Sequence, residues 1–138
     1  MTFETAGAEV AFLLARVGFG GVLAFMGLNH FLNVEEMAGY AEFKGVPAPE
    51  ASVLLSGGLL VFGGLSVVTG VLPAVGAGAL AVFLPLSAVT MHDFWDVEGE
   101  EAQTEMTQFL KNIGLTAGAL AFLALSGVAW PFALDIGV

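Results

Sequence analysis

Apolar residues dominate four stretches of the chain, and most charged residues fall between or outside them. Residues 51 to 91 form the longest such stretch and carry no charged side chain. That is about twice the ~20 residues a helix needs to cross a hydrocarbon core, so the run has to fold back on itself. Thr69-Gly70-Val71-Leu72-Pro73 supplies the turn, because Gly tolerates unusual backbone angles and Pro starts a helix more readily than it continues one. The pattern predicts a tight hairpin of helices over 51-70 and 73-92. A first span is predicted over 10-31, interrupted by the charge of Arg16, and a last one over 109-130, ended by Pro131. The first stretch is preceded by Glu4 and Glu9 rather than lysines and is long for a signal peptide, so it reads as a retained helix.

An even number of crossings puts both termini on one membrane face and the two longer loops, 32-50 and 92-108, on the other. The first loop predicts a short interfacial helix. Asn33 with Glu36 has the spacing of a capping box, and Met37, Tyr40 and Ala41 fall on one face. Gly45 stops this helix, and Pro47 and Pro49 lead into the second span. In the second loop, residues 98-108 are expected to extend the fourth helix beyond the membrane. The expected fold is thus all-α: a four-helix antiparallel transmembrane bundle with a short interfacial helix after the first span, in a single domain over residues 1-138.

Composition agrees with a bilayer as solvent, since 57% of residues are hydrophobic and 12% charged. The chain is expected in the cell membrane as a multi-pass protein, with lipids as its first partners. Thirteen Asp and Glu face three Lys and Arg, for a net charge of -10. No basic stripe exists to neutralise phosphates, so nucleic acid is not expected as a partner. Acidic loops of this kind suit a protein hydrated in high salt, and a halophilic archaeal source is expected. Lys44 and Lys111 lie on the loop side, which by the positive-inside rule tips toward loops in and termini out.

The absence of cysteine removes disulfides, thiolate nucleophiles and iron–sulfur ligation. The nineteen glycines suit close helix approach in a bilayer, within the bundle or in a homo-oligomer. The small-residue pairs are Gly114 with Gly118, Ser66 with Gly70, and Ala74 with Gly78. Phe94 and Trp95 at one interface and Trp130 at the other are expected in aromatic belts.

Polar residues inside the spans are the candidates for chemistry. Arg16 lies about 9 Å beyond Val10 at ~1.5 Å per residue, a buried charge that either snorkels toward the terminal side with Glu9 nearby or anchors an anion or cofactor. At the loop-side mouth, Asn29 and His30 close the first span, His92 and Asp93 follow the third, and Lys111 and Asn112 open the fourth. Asn29, His30, His92, Lys111 and Asn112 are therefore the candidate ligand-binding residues, a polar lip suited to a quinone headgroup. The opposing reading pairs Asp93 with Lys111 and leaves the histidines to interfacial water. No metal-site spacing occurs, and a haem between the histidines is not expected in so glycine-rich a bundle.

Arg16 with Gly18-Phe19-Gly20-Gly21, then Gly27-Leu28-Asn29-His30-Phe31, Met37-Ala38-Gly39-Tyr40 and Lys44-Gly45-Val46-Pro47-Ala48-Pro49 resemble the first half of a DoxX family protein. Met91-His92-Asp93-Phe94-Trp95 and Gln108-Phe109-Leu110-Lys111-Asn112 resemble its second half, so that the resemblance spans nearly the whole chain. It implies a small four-helix membrane protein. The family takes its name from similarity to the membrane subunit of a thiosulfate:quinone oxidoreductase, and some members are thought to join membrane-associated redox or detoxification complexes. It implies no catalytic residue, and enzymatic activity is left open. Two functions follow as expectations: a membrane subunit or anchor supporting a quinone-linked redox complex with membrane or peripheral protein partners, or a purely structural or assembly protein that binds partner helices. A transporter has less support, because no discontinuous helix or inverted repeat marks a midplane site.

Overall fold

The computed structural model describes residues 3–138, and every regular element in it is helical. Helix α1 runs Ala8–Leu32, α2 Val34–Phe43, α3 Pro49–Thr69, α4 Pro73–Met91 and α5 Gly99–Leu125, with a short 3-10 turn at Phe94–Asp96 before α5. All but α2 are long and apolar enough to cross a membrane. The punctuation works largely through backbone geometry. Gly45 and Gly70 take left-handed angles (φ 77 and 73), and Pro49 and Pro73 stand in the first turns of α3 and α4. Asn33 does precede α2, but its amide donates back to Asn29 (Oδ1 at 2.8 Å) and makes no capping bond, so the expected capping box with Glu36 is not formed.

Glycine sets the spacing of α1 against α3. A methyl built on Gly20 would lie 2.3 Å from the Gly64 carbonyl oxygen, and one on Gly27 would lie 2.6 Å from that of Gly57. Gly20 and Gly27 are two turns apart, as are Gly57 and Gly64, so the antiparallel backbones touch at two successive points. Gly63 and Gly76 serve the α3–α4 hairpin in the same way, against Leu80 and the Ser66 side chain. By contrast, α1 and α5 are joined by rings. Phe12, Phe19, Phe122 and Trp130 pack with centroids 5.1–5.9 Å apart, and the edge of Phe19 lies over Gly118. Leu23, Leu60, Val67, Leu80 and Leu84 fill the space between.

Only half of the expected Gly114–Gly118 interface is present within the chain: Gly118 receives Phe19, while Gly114 faces open space. The last helix also ends at Leu125, short of the expected residue 130. Beyond it the chain folds back, and Trp130 is 2% exposed with its indole N–H on the Leu125 carbonyl at 2.8 Å. It is a core residue and not the belt residue expected, because the turn after Leu125 brings the ring onto Phe12 of α1 and Phe122 of α5.

Arg16 is fully buried and does not snorkel. Its Nε donates to Val67 O at 3.2 Å, Nη2 to Val68 O at 2.6 Å and Nη1 to Pro131 O at 2.6 Å, while the rings of Phe12 and Trp130 lie within 6 Å of its carbon centre. The first two acceptors belong to the last turn of α3, whose final four carbonyls have no partner in the helix. Ser66 O is met by Gly70 N–H at 2.9 Å and Thr69 O by Leu134 N–H at 2.8 Å, so all four are satisfied. The guanidinium also complements the negative end of the α3 dipole. The tail continues the closure: Leu72 N–H donates to Ile136 O at 2.6 Å, Ile136 N–H to Gly70 O at 3.2 Å, and Asp135 accepts from Trp130 N–H at 3.0 Å. Irregular backbone is tolerated at membrane depth where protein satisfies it in this way.

Gly64→Leu forces apart backbones already in contact and is expected to cost about 1–3 kcal/mol or more, read as a lower melting temperature in detergent. Gly114→Leu, in open space, is expected to leave the melting temperature within about 0.5 kcal/mol of the parent. Equal losses at the two positions would show that the α1–α3 contact does not set the packing.

Candidate functional site

The polar groups of the loop-side end come from four elements, and the structure partners them differently from the sequence expectation. Asn29 is exposed and accepts from Asn33. Lys111 is exposed and donates to Gln108 one turn earlier on α5 at 2.6 Å, so it does not pair with Asp93. Asp93 pairs with Lys44 instead, because the end of α2 brings that ammonium over the α4 terminus. His92 sits with its Nδ1 2.9 Å from Glu105 Oε2. Asn112 is buried on α5, and its backbone carbonyl takes the Thr116 hydroxyl at 2.7 Å. His30 packs against α3, its Cβ facing Gly57, and its Nδ1 is buried without a hydrogen-bond partner among the described residues. The five candidates are thus held by five different sets of neighbours.

What the structure does bring together is a chain of groups across α2, α4 and α5. Glu105 is buried, and each of its oxygens is engaged: Oε2 by His92, Oε1 by the Tyr40 hydroxyl at 3.1 Å. The Lys44 ammonium lies 5.5 Å from the centre of the Tyr40 ring while it pairs with Asp93. A buried carboxylate is costly unless it is hydrogen-bonded, and these two partners supply that satisfaction. Beside the network, Phe94, Trp95 and Phe109 form an edge-to-face cluster with centroids 5.2–6.0 Å apart. Trp95 is half exposed at this end of the helices, as a belt residue would be.

Glu105 escaped the sequence reading because it lies in the polar extension of α5. The signal was present: Glu105, Asn112 and Ala119 recur every two turns and are all buried, so one face carries them inward. Two shallow concavities, of about 450 and 580 Å3, lie at the α1–α2 junction (Leu32 to Glu36) and between α2 and the start of α3 (Ala38, Gly39, Glu42, Pro49 and Glu50 among its lining); neither is lined by His30 or His92. Among the described residues no three His, Asp or Glu side chains gather as a metal site.

Electrostatics favour the closed network. Burial first, then the Glu105 carboxylate, raises the Tyr40 hydroxyl above its ordinary range. Burial opposes the Lys44 charge, but the hydrogen bond to Asp93 and the neighbouring Tyr40, Asp93 and Glu105 outweigh it and raise that group as well. For both groups the folded value exceeds the unfolded one. Their stabilisation is therefore full below the ordinary tyrosine and lysine ranges, and is lost as the pH climbs through the raised values. Tyr40 is the one tyrosine in the chain, so the tyrosinate absorbance band reports it alone. Its midpoint is expected above that of free tyrosine and to fall toward it in Glu105→Gln; a midpoint indifferent to that substitution would contradict the contact.

The DoxX family model matches residues 11–93, more than half of the chain, from α1 through the His92-Asp93 corner. The inner membrane protein YphA of Escherichia coli (strain K12) is 27% identical over 123 residues, which cover 88% of this chain and 86% of that protein. No solved structure matches. Taken with four spanning helices, the match establishes that the chain is a multi-pass membrane protein and belongs to the DoxX family.

Proposed function

We propose that the chain is a membrane subunit of a quinone-linked redox assembly, located in the cell membrane, and that it offers a hydrogen-bonding position to a quinone headgroup at its loop-side end. The observation that carries this reading is His30 Nδ1, the one buried side-chain polar atom without a partner among the described residues. Leaving such a group unpaired costs about 1–3 kcal/mol, which a ligand carbonyl or hydroxyl would recover. Imidazole suits either, since its ring nitrogens can donate or accept. Asn112 on α5 is a second buried polar residue toward this end, while Asn29 and Lys111 are exposed. The chain's own contribution is binding and orientation; any electron transfer rests on a bound cofactor or on partners, since the chain has no cysteine to relay electrons itself.

A second reading, a structural or assembly subunit without a ligand, is favoured by the open form of the two concavities, neither of which is lined by His30. The two readings separate on binding. The purified chain in mild detergent, titrated with a short-chain quinone, is expected to bind. His30→Ala should weaken binding on the order of tenfold, the value of one hydrogen bond of ~1.4 kcal/mol, with helical circular dichroism unchanged. A parent protein that does not bind, or binding indifferent to His30→Ala, leaves the structural reading.

A further inference from the structure

Helix α2 differs from the other helices in how it is attached. Ala41, 3% exposed, is its one buried residue, while Phe43 is 79% exposed and Gly39 has no side-chain or backbone neighbour where a methyl would point. One shallow concavity lies at its junction with α1 and a second separates it from the start of α3. What ties α2 to the far side of the bundle is polar: the Tyr40 hydroxyl on Glu105 of α5, and Lys44 on Asp93 after α4.

Its two ends are built as joints. At Asn33 the backbone leaves the helical region (φ -130, ψ 38) in a single residue between α1 and α2, and no side chain caps the new helix. At the other end Gly45 (φ 77) and Ala48 (φ 45) are both left-handed, the second a conformation that costs an alanine energy. A segment with one buried methyl, polar clasps and a break at each end has the properties of elements that open locally while the rest of the fold stays closed.

From this placement we infer that α2 is a movable lid over the loop-side end of the bundle, hinged at Asn33 and at residues 45–48 and held shut by the paired clasps Tyr40–Glu105 and Lys44–Asp93. The inference goes beyond the proposed ligand and stands without it. His92 fixes the Glu105 carboxylate from the opposite side, so that the acceptor for Tyr40 remains in place when the lid lifts. The covered surface is the one Ala41 touches, and its exposure is the direct report of opening.

The chain has no cysteine, so a single Ala41→Cys variant supplies a clean reporter, with Phe43→Cys as the exposed control. With a water-soluble maleimide, Ala41→Cys is expected to label far more slowly than the control. Adding Tyr40→Phe and Lys44→Gln together should raise its rate roughly tenfold or more, as the open population grows with the loss of two clasps. Restoring Tyr40 and exchanging the other pair, as Lys44→Asp with Asp93→Lys, should return the slow rate. If the double variant aggregates, Tyr40→Phe alone, which deletes one oxygen, is read in its place and should still accelerate labelling. Labelling of Ala41→Cys as fast as the control in the parent background, or a rate unmoved by loss of the clasps, would overturn the lid.

Discussion

A helix that ends inside or at the edge of a bilayer leaves four carbonyl groups in need of donors, and the way this protein meets that need at the end of α3 governs the rest of its architecture. Arg16 crosses from α1 to donate to two of those carbonyls, and with its remaining donors it holds the carbonyls of Pro131 and of Phe132, the latter at 3.4 Å. One side chain thereby fixes the relative position of α1, the α3–α4 turn and the C-terminal tail. The cost of removing a cation from water is met by four acceptors, the α3 dipole, two aromatic faces and the charge of Asp135. The glycines at positions 20 and 64 belong to the same solution, because only backbones in contact bring the Arg16 turn of α1 close enough to the α3 terminus.

The two ends of the bundle are consequently unlike. At the terminal end main-chain groups of the turn and tail are tied to one another and to one buried cation. At the loop end the ties are side-chain pairs between charged or ionisable groups, Tyr40 with Glu105 and Lys44 with Asp93, each joining a buried group to a more exposed one. The first kind are main-chain bonds within irregular backbone, whereas the second depend on four individual side chains. His30 Nδ1, buried without a hydrogen-bond partner among the described residues, also lies toward the loop end, in the last turn of α1.

Much of this architecture was legible in the sequence. The uncharged run over residues 51–91 had to be a hairpin, and Gly70 and Pro73 mark its turn where the structure has it. The single charge at Arg16 was visible as an anomaly, but its partners were not, since they are main-chain carbonyls of residues 51 to 116 positions away, which no side-chain pattern announces. Trp130 misled for a related reason: its distance from the preceding loop suited an interface, while the early end of α5 at Leu125 returned it to the core. The candidate site was legible as a set of residue types at one end of the molecule and not as a set of contacts. His92 was identified, but its partner Glu105 stood among solvent-facing acids of the α5 extension, and Lys44, not Lys111, took Asp93 because the short α2 carries it across the mouth.

The central claim is that Arg16 organises the terminal end, and amide hydrogen exchange reads it most directly. In the parent protein the N–H groups of Leu72, Leu134 and Ile136, all bonded across the turn and tail, should be protected. In Arg16→Met, which keeps the bulk and removes the donors, these three amides should exchange at rates near those of an unstructured chain, while amides in the middle of α4 keep their protection. Unchanged protection of Leu134 and Ile136 in Arg16→Met would contradict the account, because the tail would then hold its place without the cation.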